Sequence, residues 1–157
     1  MMNKDMRALA LQLIEQSRSA CLTTIGRDGY PYSRAISNLR HEKDFSSLKD
    51  FFEKQDNPFI QYIATDTSSS KMKDIHGNPK VSLYFCDAEV WHGLMLGGDI
   101  EIVNDPSIKR VVWQEDWGRF YTQGPKDPEY SLLRLLPRTA RGWHWKNTFQ
   151  FDPRIMQ

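Results

Sequence analysis

Two stretches carry the most structural information, Ala-Thr-Asp-Thr-Ser-Ser-Ser-Lys at residues 64–71 and Asn-Pro-Lys-Val-Ser-Leu-Tyr-Phe at residues 78–85. The first stretch continues from a predicted strand at residues 59–65 and passes through a polar run into a short helix. Gly77 and the Asn-Pro pair after it predict where that helix ends. The second stretch alternates apolar and polar side chains, which predicts another strand.

The beginning of this predicted helix carries groups that suit an anion. The first backbone N–H groups of a helix have no partner within it and carry a partial positive charge, so they attract a phosphate. Thr65, Ser69 and Ser70 add hydroxyl donors, and Lys71 adds a full charge. A second interpretation is that Ser68 or Ser69 merely caps the helix while Lys71 is solvated. The residues alone favour this second interpretation.

On both sides of this region, short strands joined by turns outnumber short helices. Asp28-Gly29 predicts a hairpin turn, and Gly97-Gly98 predicts a bulge or a close backbone approach within a strand. Because the strands are neighbours and not repeated strand–helix units, an antiparallel barrel is favoured over a parallel sheet. The predicted helices are residues 4–16, 45–54, a short one after Lys71 and about 105–115. The predicted strands are residues 20–25, 30–39, 59–65, 81–85, 91–103, 130–136 and 140–145, with Pro137 separating the last two.

Length and charge exclude several classes of function. The 157 residues fit a single domain over residues 1–157. A formal net charge of +1 gives no general reason to expect nucleic acid or a membrane surface as a partner. No apolar run approaches the roughly 20 residues of a membrane span. The charged, amphipathic N-terminus has no signal-peptide core, so we expect a cytoplasmic protein.

The sequence lacks the common catalytic and metal-binding motifs. It contains no G-x-S-x-G elbow, H-E-x-x-H pair, Walker A loop or G-x-G-x-x-G fingerprint. Cys21 and Cys86 form no C-x-x-C pair, so neither a disulfide scaffold nor a cysteine zinc site is expected. The four histidines show no ligand spacing, so no metal site is expected from them either. We interpret all four as solvated or locally hydrogen-bonded: His41, His76, His92 and His144.

Four segments, in this order, carry a resemblance to a known family. The first segment is Thr-Thr-Ile-Gly with Pro-Tyr-Ser-Arg-Ala-Ile, within residues 23–36, and the second is Asn-Leu-Arg at residues 38–40. The third consists of the two stretches within residues 64–85. The fourth is residues 98–103, followed later by residues 127–130 and Trp143. The chain resembles the pyridoxamine 5′-phosphate oxidase-like superfamily of FMN-binding split barrels, in its general-stress-protein branch. The resemblance implies a mainly β fold, a six-stranded antiparallel split β-barrel with a few short helices. It also implies FMN as cofactor and a homodimer with the flavin at the subunit interface.

On the phosphate side, the resemblance implies roles for two cations. Arg34 matches the arginine that contacts the cofactor phosphate, and Lys71 matches the phosphate lysine. Ser70 stands where the oxidases have an arginine, so the anion site has one charge fewer here. Ser69 completes the predicted set with its hydroxyl.

On the ring side, the resemblance implies four further positions. Ala35 and Ile36 match backbone positions that lie along the flavin, and Thr65 matches a threonine near the ring system. Trp143 matches a tryptophan that reaches the flavin from the last strand, although a core or interface tryptophan explains it almost as well.

The substrate side departs from the family. Leu39 stands where the oxidases have a lysine for the substrate phosphate, and Phe149, Phe151 and Pro153 stand where they have an arginine, a histidine and a second arginine. A glutamine that reaches the flavin is replaced near Gly93. We therefore do not expect a true pyridoxamine 5′-phosphate oxidase.

Three hypotheses for the function follow. The first is a flavin-dependent oxidoreductase with an unknown substrate and a small-molecule electron donor or acceptor, because flavin supplies the redox chemistry itself. The second is a non-catalytic flavin-binding stress protein, and the third is a haem-binding relative on the same barrel.

Overall fold

The computed structural model describes residues 3–155, and within them the chain forms four α-helices and seven strands. The helices are α1 (Asn3–Gln16), α2 (Lys49–Glu53), α3 (Ser70–Gly77) and α4 (Pro106–Val112). The strands are β1 (Ser19–Ile25), β2 (Pro31–Ser37), β3 (Gln61–Asp66), β4 (Lys80–Asp87), β5 (His92–Ile102), β6 (Tyr130–His144) and β7 (Asn147–Phe151). Single 3-10 turns lie at Ser46–Leu48, Glu115–Arg119 and Gly124–Lys126.

The strands form one antiparallel sheet with the order β2-β1-β4-β5-β6-β3, and β7 pairs with β6 beside β3. The two ends of this path, β2 and β3, approach each other. No ladder joins them among the described residues, so the barrel stays open on that side. The predicted antiparallel split β-barrel with a few short helices is confirmed.

Two apolar clusters stabilise the barrel. The inner cluster lies between the sheet, α1 and α3, and includes Leu22, Leu83, Leu94 and Leu96, which are almost fully buried. These side chains alternate with outward-facing ones, as the sequence pattern predicts. The second cluster lies on the other face of β3 and β6 and contains Tyr62, Tyr130 and Leu132 among its members. The chain between β2 and β3 closes over this second cluster.

The prediction that Pro137 separates two strands was wrong, because β6 runs through it. The register between β5 and β6 shifts at Gly97-Gly98, which confirms the predicted bulge, and Arg138 is the extra residue on β6. A proline lacks the N–H group that a ladder needs, so a position beside a bulge can accept it. Gly98 is required there, because a Cβ atom would collide with the carbonyl oxygen of Leu136.

Two helices and one strand also differ from the predictions. The predicted helices at 45–54 and 105–115 are shorter, at Lys49–Glu53 and Pro106–Val112, and each continues into 3-10 turns or loop. Strand β7 was missed, although Phe149 and Phe151 alternate with polar neighbours in it.

Among residues 3–155, no helix has the length and apolar character needed to cross a bilayer. A cytoplasmic location stays a prediction.

Candidate functional site

Arg34 lies on the core-facing side of β2 and is held by several groups. Its Nη1 donates hydrogen bonds to Thr24 Oγ1 (2.7 Å) and to the carbonyl oxygen of Tyr32 (2.8 Å). Its Nη2 lies 3.6 Å from Oδ2 of Asp74, and the Thr24 hydroxyl donates to the same oxygen at 2.7 Å. Because Asp74 belongs to α3, this chain of contacts fixes Arg34 against that helix.

Lys71 lies in the first turn of α3 and points back to β3. Its Nζ donates a hydrogen bond of 2.7 Å to Oγ1 of the buried Thr65. Partial burial and the positive charge of nearby Arg34 lower the pKa of Lys71, whereas Asp66 raises it. Within residues 3–155 no carboxylate oxygen lies within 4.0 Å of Nζ. Arg34 and Lys71 therefore lie in one region, where nearby carboxylates only partly offset their two positive charges.

The start of α3 has unused polar groups. Ser69 precedes the helix, but its hydroxyl makes no cap and is buried without a hydrogen-bond partner. Ser68 contacts the Glu129 carboxylate, so it does not cap α3 either. The alternative in which a serine caps the helix and Lys71 is solvated is therefore wrong. The first N–H groups of α3, at Ser70 and Lys71, also lack partners within the helix.

A cleft of about 790 Å³ opens between the β1–β2 hairpin and α3. Ser70, Lys73 and Asp74 line it from α3, and Arg27, Tyr32 and Arg34 line it from the hairpin. Lys71 lies outside this wall. Its volume lies within the range of roughly 300–1,000 Å³ that cofactor and ligand sites occupy. The cleft can therefore accept a phosphate-bearing molecule beside Arg34 and the start of α3.

Strand β2 forms an edge of the sheet, with an exposed backbone. The hydrogen bond from Gly26 N to Tyr30 O (2.9 Å) sets the alternation of the β1–β2 ladder. Following that alternation, Ile36 exchanges its backbone hydrogen bonds with Ala20, whereas the N–H and C=O groups of Ala35 face the open edge. Ala35 can therefore bond a ligand through its backbone, and Ile36 can offer only its half-buried side chain.

Trp143 is half-buried on the outer face of the sheet, away from this cleft. It stacks on Tyr84 of β4, with ring centroids 5.6 Å apart and an interplanar angle of 28°. Gly93 of β5 pairs with Trp143, and a Cβ atom there would lie 2.6 Å from its Cη2 and from the Tyr84 hydroxyl. A side chain at residue 93 would therefore push the Trp143 and Tyr84 rings apart. The glutamine that the family has near this position would not fit here without such a shift. A cavity of about 510 Å³ lies beside Trp143, lined also by Met95, Arg141, Thr148, Phe149 and Gln150.

The predicted site residues thus divide into two groups. The structure places Arg34, Thr65, Ser69, Ser70 and Lys71 around the start of α3, with Ala35 and Ile36 following on β2. It does not bring Trp143 to them, because Trp143 lines a different cavity from the cleft beside Arg34. Trp143 also faces outward, whereas Arg34 faces the core side.

Sequence reasoning missed Thr24 and Asp74, which hold Arg34. Asp74 stands three residues after Lys71, on a helix where such a spacing places two side chains on one face. That spacing was an available signal for Asp74. The role of Thr24 depends on the β1–β2 register, which local sequence does not determine.

The interpretation of the histidines as solvated or locally hydrogen-bonded agrees with the structure for His41 but not for His92. His41 is buried and lies 3.1 Å from the Asp44 carboxylate, in agreement with a local hydrogen bond. His92 is also buried and its Nε2 has no partner, so the interpretation as solvated or locally bonded was wrong for it. The His92 and His144 rings pack edge to face at 5.2 Å. Within the described residues, no three potential metal ligands converge.

The chain is similar to known proteins along most of its length. A model of the pyridoxamine 5′-phosphate oxidase family matches residues 6–144. A Clostridium acetobutylicum protein related to general stress protein 26 of B. subtilis, of the pyridoxine-phosphate oxidase family, is 26% identical; the match covers 96% of both chains with a TM-score of 0.74. General stress protein 26 from Bacillus anthracis is 22% identical, with 93% and 98% of the two chains covered and a TM-score of 0.68.

A more distant protein of the same fold is described as FMN-binding. A pyridoxamine 5′-phosphate oxidase-related, FMN-binding protein from Nostoc punctiforme is 13% identical, with 97% and 92% of the two chains covered and a TM-score of 0.62. A comparison with curated proteins found no significant match.

Proposed function

Because the chain belongs to the pyridoxamine 5′-phosphate oxidase family, in its general-stress-protein branch, we propose that it is an FMN-binding protein. The FMN phosphate is bound between Arg34, Lys71 and the start of α3, and the flavin ring extends along the open edge of β2 at Ala35 and Ile36. When bound, FMN supplies hydride and electron transfer through its own ring system.

The observation that carries this proposal is the pair of cations at the start of α3. Among residues 3–155, the neutral Thr65 hydroxyl is the only hydrogen-bond partner of the Lys71 ammonium group. Partial burial and the neighbouring charge of Arg34 disfavour the charged form of Lys71. A phosphate would compensate both charges and would supply an acceptor for the buried, unpaired Ser69 hydroxyl. The residues present therefore fit a phosphate-bearing cofactor.

We also propose a homodimer in which the partner subunit contributes its Trp143 region to the flavin site. Within one chain, Trp143 lies on the other face of the sheet from Arg34 and lines a different cavity. A single chain therefore leaves the ring side of the site incomplete. The exposed aromatic side chains of Tyr30, Trp91 and Trp145 give the barrel apolar surface that a second copy can cover.

The reaction proposed is oxidation or reduction of an unknown small molecule, with the flavin as the redox group. The side chains at the family's substrate-phosphate positions, Leu39, Phe149 and Phe151, are apolar and pack into the two clusters. This favours a substrate without a phosphate group. A non-catalytic flavin-binding role would differ from this proposal only in the absence of turnover.

The test begins with FMN and riboflavin titrations of the purified full-length protein. We expect FMN to bind more tightly than riboflavin, and Lys71→Ala to weaken FMN binding by about tenfold or more, because a hydrogen bond to a charged group contributes about 1.5–3 kcal/mol. Lys80→Ala is the matched control, since Lys80 is exposed on β4 and outside the cleft. Equal binding of both flavins, or a haem Soret band in place of flavin absorbance, would contradict the proposal.

Two further measurements test the dimer and the redox activity. Sedimentation of the flavin-loaded protein at micromolar concentration should give a dimer, and a monomer with flavin bound would contradict it. Anaerobic mixing with NADH or NADPH should bleach the flavin absorbance at a rate that supports turnover. A flavin that stays oxidised with both donors would favour the non-catalytic role.

A further inference from the structure

A second cavity, of about 410 Å³, lies at the other end of β2. It is enclosed by the last turns of α1 and by the chain from residue 39 to residue 58. Asn38 holds these parts together, because its side-chain amide donates 2.6 Å hydrogen bonds to the carbonyl oxygens of Ile14 and Ser17 at the end of α1. Its Oδ1 accepts from Arg40 N at 3.1 Å. The apolar part of the wall is formed by Leu11, Leu39, Phe45, Phe52 and Pro58.

Arg40 is the only cation in this wall whose side chain is buried, with 7% exposure. Its guanidinium carbon lies 4.7 Å from the centre of the Phe52 ring, which fixes the plane of the group. Its Nη1 donates to the carbonyl oxygens of Pro58 (2.6 Å) and Ile60 (3.3 Å). These contacts hold the guanidinium in place and use one side of it.

The other side of the Arg40 guanidinium is incompletely used. Its Nε is buried with no hydrogen-bond partner, and its Nη2 has only the Glu15 carboxylate at 3.8 Å, which is beyond hydrogen-bond distance. Because Nε is closed off from solvent, Nη2 is the guanidinium group that keeps donors for a carboxylate. Burial lowers the pKa of Arg40, and Glu15 opposes this only in part. The charge therefore lacks a close partner.

The remaining charged groups of the cavity are mostly acidic. Glu15, Glu42 and Glu53 contribute three negative charges, against Arg40 and Lys49, and Lys49 already lies 3.9 Å from Glu53. Burial raises the pKa of Glu15, and the charges of Glu42 and Glu53 raise it further, against the opposing charges of Arg40 and Lys49. A simple anion would be repelled by this rim, whereas an ammonium group would be attracted to it.

We propose that this cavity binds a free α-amino acid with an apolar side chain. The carboxylate pairs with the Nη2 group of Arg40, the ammonium group lies among the carboxylates of Glu15, Glu42 and Glu53, and the side chain packs against Leu11 and Phe45. Carboxylate, ammonium and apolar body each meet a matching part of the wall. This site is separate from the flavin cleft, since the two cavities share no lining residue.

The experiment is a titration of the ¹⁵N-labelled full-length protein with L-phenylalanine, followed by NMR and calorimetry. We expect saturable binding with amide shifts at Leu11, Phe45 and Ser46. The two half-ligands, 3-phenylpropanoate and 2-phenylethylamine, should each bind at least about tenfold more weakly, because each loses one set of charge-assisted hydrogen bonds. Adding FMN beforehand should leave these results unchanged, so a failure of flavin binding would not affect them.

Variants separate the three parts of the proposed site. Arg40→Lys should weaken phenylalanine binding about tenfold or more, while the matched control Arg18→Lys, on an exposed arginine outside the cavity, should not. Glu42→Gln with Glu53→Gln should weaken binding of phenylalanine but not of 3-phenylpropanoate, and both side chains are exposed, so the fold should tolerate the changes. Absence of binding at millimolar phenylalanine, equal binding of a half-ligand, or an unchanged affinity in Arg40→Lys would overturn the proposal.

Discussion

The Nζ atom of Lys71 donates a 2.7 Å hydrogen bond to Oγ1 of Thr65 and so connects the first turn of α3 with the end of β3. Partial burial and the positive charge of Arg34 lower the pKa of Lys71, and Asp66 opposes this effect. The chain thus keeps a positive charge in a place where folding disfavours it. Ionisable groups whose pKa is shifted by burial and by a neighbouring charge are typical of binding sites.

We predict that Lys71→Met makes the flavin-free protein at least as stable as the wild type at pH 7, while FMN affinity falls about tenfold or more, the effect of losing one charged donor. Because the folded pKa of Lys71 lies below the unfolded value, the unfolded chain binds more protons just below pH 10.5. Wild-type stability should therefore rise relative to the variant as the pH increases toward that value.

Urea unfolding of the two flavin-free proteins at pH 7 and pH 9.5 measures both effects. Lys73→Met is a control for general changes in α3 in these unfolding measurements alone, because Lys73 is exposed on the same helix but lines the flavin cleft. A Lys71→Met protein that is clearly less stable at pH 7 would show that the lysine stabilises the fold.

Gly93 and Trp143 give a second prediction. Gly93→Ala places a Cβ atom 2.6 Å from Trp143 Cη2 and from the Tyr84 hydroxyl, so the ring pair must separate. We expect a loss of about 1–3 kcal/mol of unfolding free energy, the usual cost of overpacking, with a change in tryptophan fluorescence. Gly77→Ala is the matched control, since nothing lies within 4 Å of its added Cβ atom. Equal stability of the two variants would contradict the close packing at Gly93.

Most of the strands and the start of α3 could be predicted from sequence, because both depend on neighbouring residues. Alternation identifies strands such as β4, and the serines before Lys71 identify a helix start. Asp74 and Thr24 escaped prediction because their contacts with Arg34 depend on strand register and on where α3 packs. Pro137 misled the strand prediction, because the bulge that accommodates it depends on Gly98 of another strand.

Trp145 gives a third prediction, since its φ of 54° is unfavourable for a residue with a Cβ atom. It occupies the first position of the two-residue turn between His144 and Asn147, where hairpins with a positive φ prefer glycine. Trp145→Gly should therefore be more stable than Trp145→Ala by about 1–2 kcal/mol, because both lose the ring and differ in backbone strain. The ring is 62% exposed, so little packing is lost in either variant.

Thermal and urea unfolding of both Trp145 variants test this prediction. Concentration series should accompany them, because the exposed ring belongs to the proposed dimer surface. If the alanine variant is the more stable one in the monomer, the strain at Trp145 is not significant.

His92 gives a fourth prediction, on pH. Burial, and then the charge of His144, lower the pKa of His92 from its ordinary value of 6.5, while Asp87 raises it. The unfolded chain then takes up a proton near pH 6.5 and the folded one only at lower pH, so stability falls as the pH drops below about 6.5. The dependence should be at most about 1.4 kcal/mol per pH unit for this one group. His92→Gln should lose it, and parallel stability–pH curves for both proteins would contradict the assignment.

The last prediction concerns the reaction that gives the family its name: the flavin-loaded protein should not oxidise pyridoxamine 5′-phosphate at a useful rate. That reaction requires cations for a dianionic substrate phosphate. Leu39, at one of the family's cationic positions, is 2% exposed within the second cluster, and Phe151, at another, packs against Phe59 with ring centroids 5.2 Å apart. Neither side chain can donate a hydrogen bond.

A single substitution should not restore that activity. Leu39→Lys would bury an ammonium group among apolar side chains, which costs several kcal/mol, so we expect destabilisation without turnover. The assay measures hydrogen peroxide and pyridoxal 5′-phosphate from the flavin-loaded protein, with a true oxidase of the family as positive control. Turnover at a comparable rate with saturation at low substrate would mean that other cations reach the substrate, and Lys146 would be the first to replace, because Arg40 is buried and held by the carbonyl oxygens of Pro58 and Ile60.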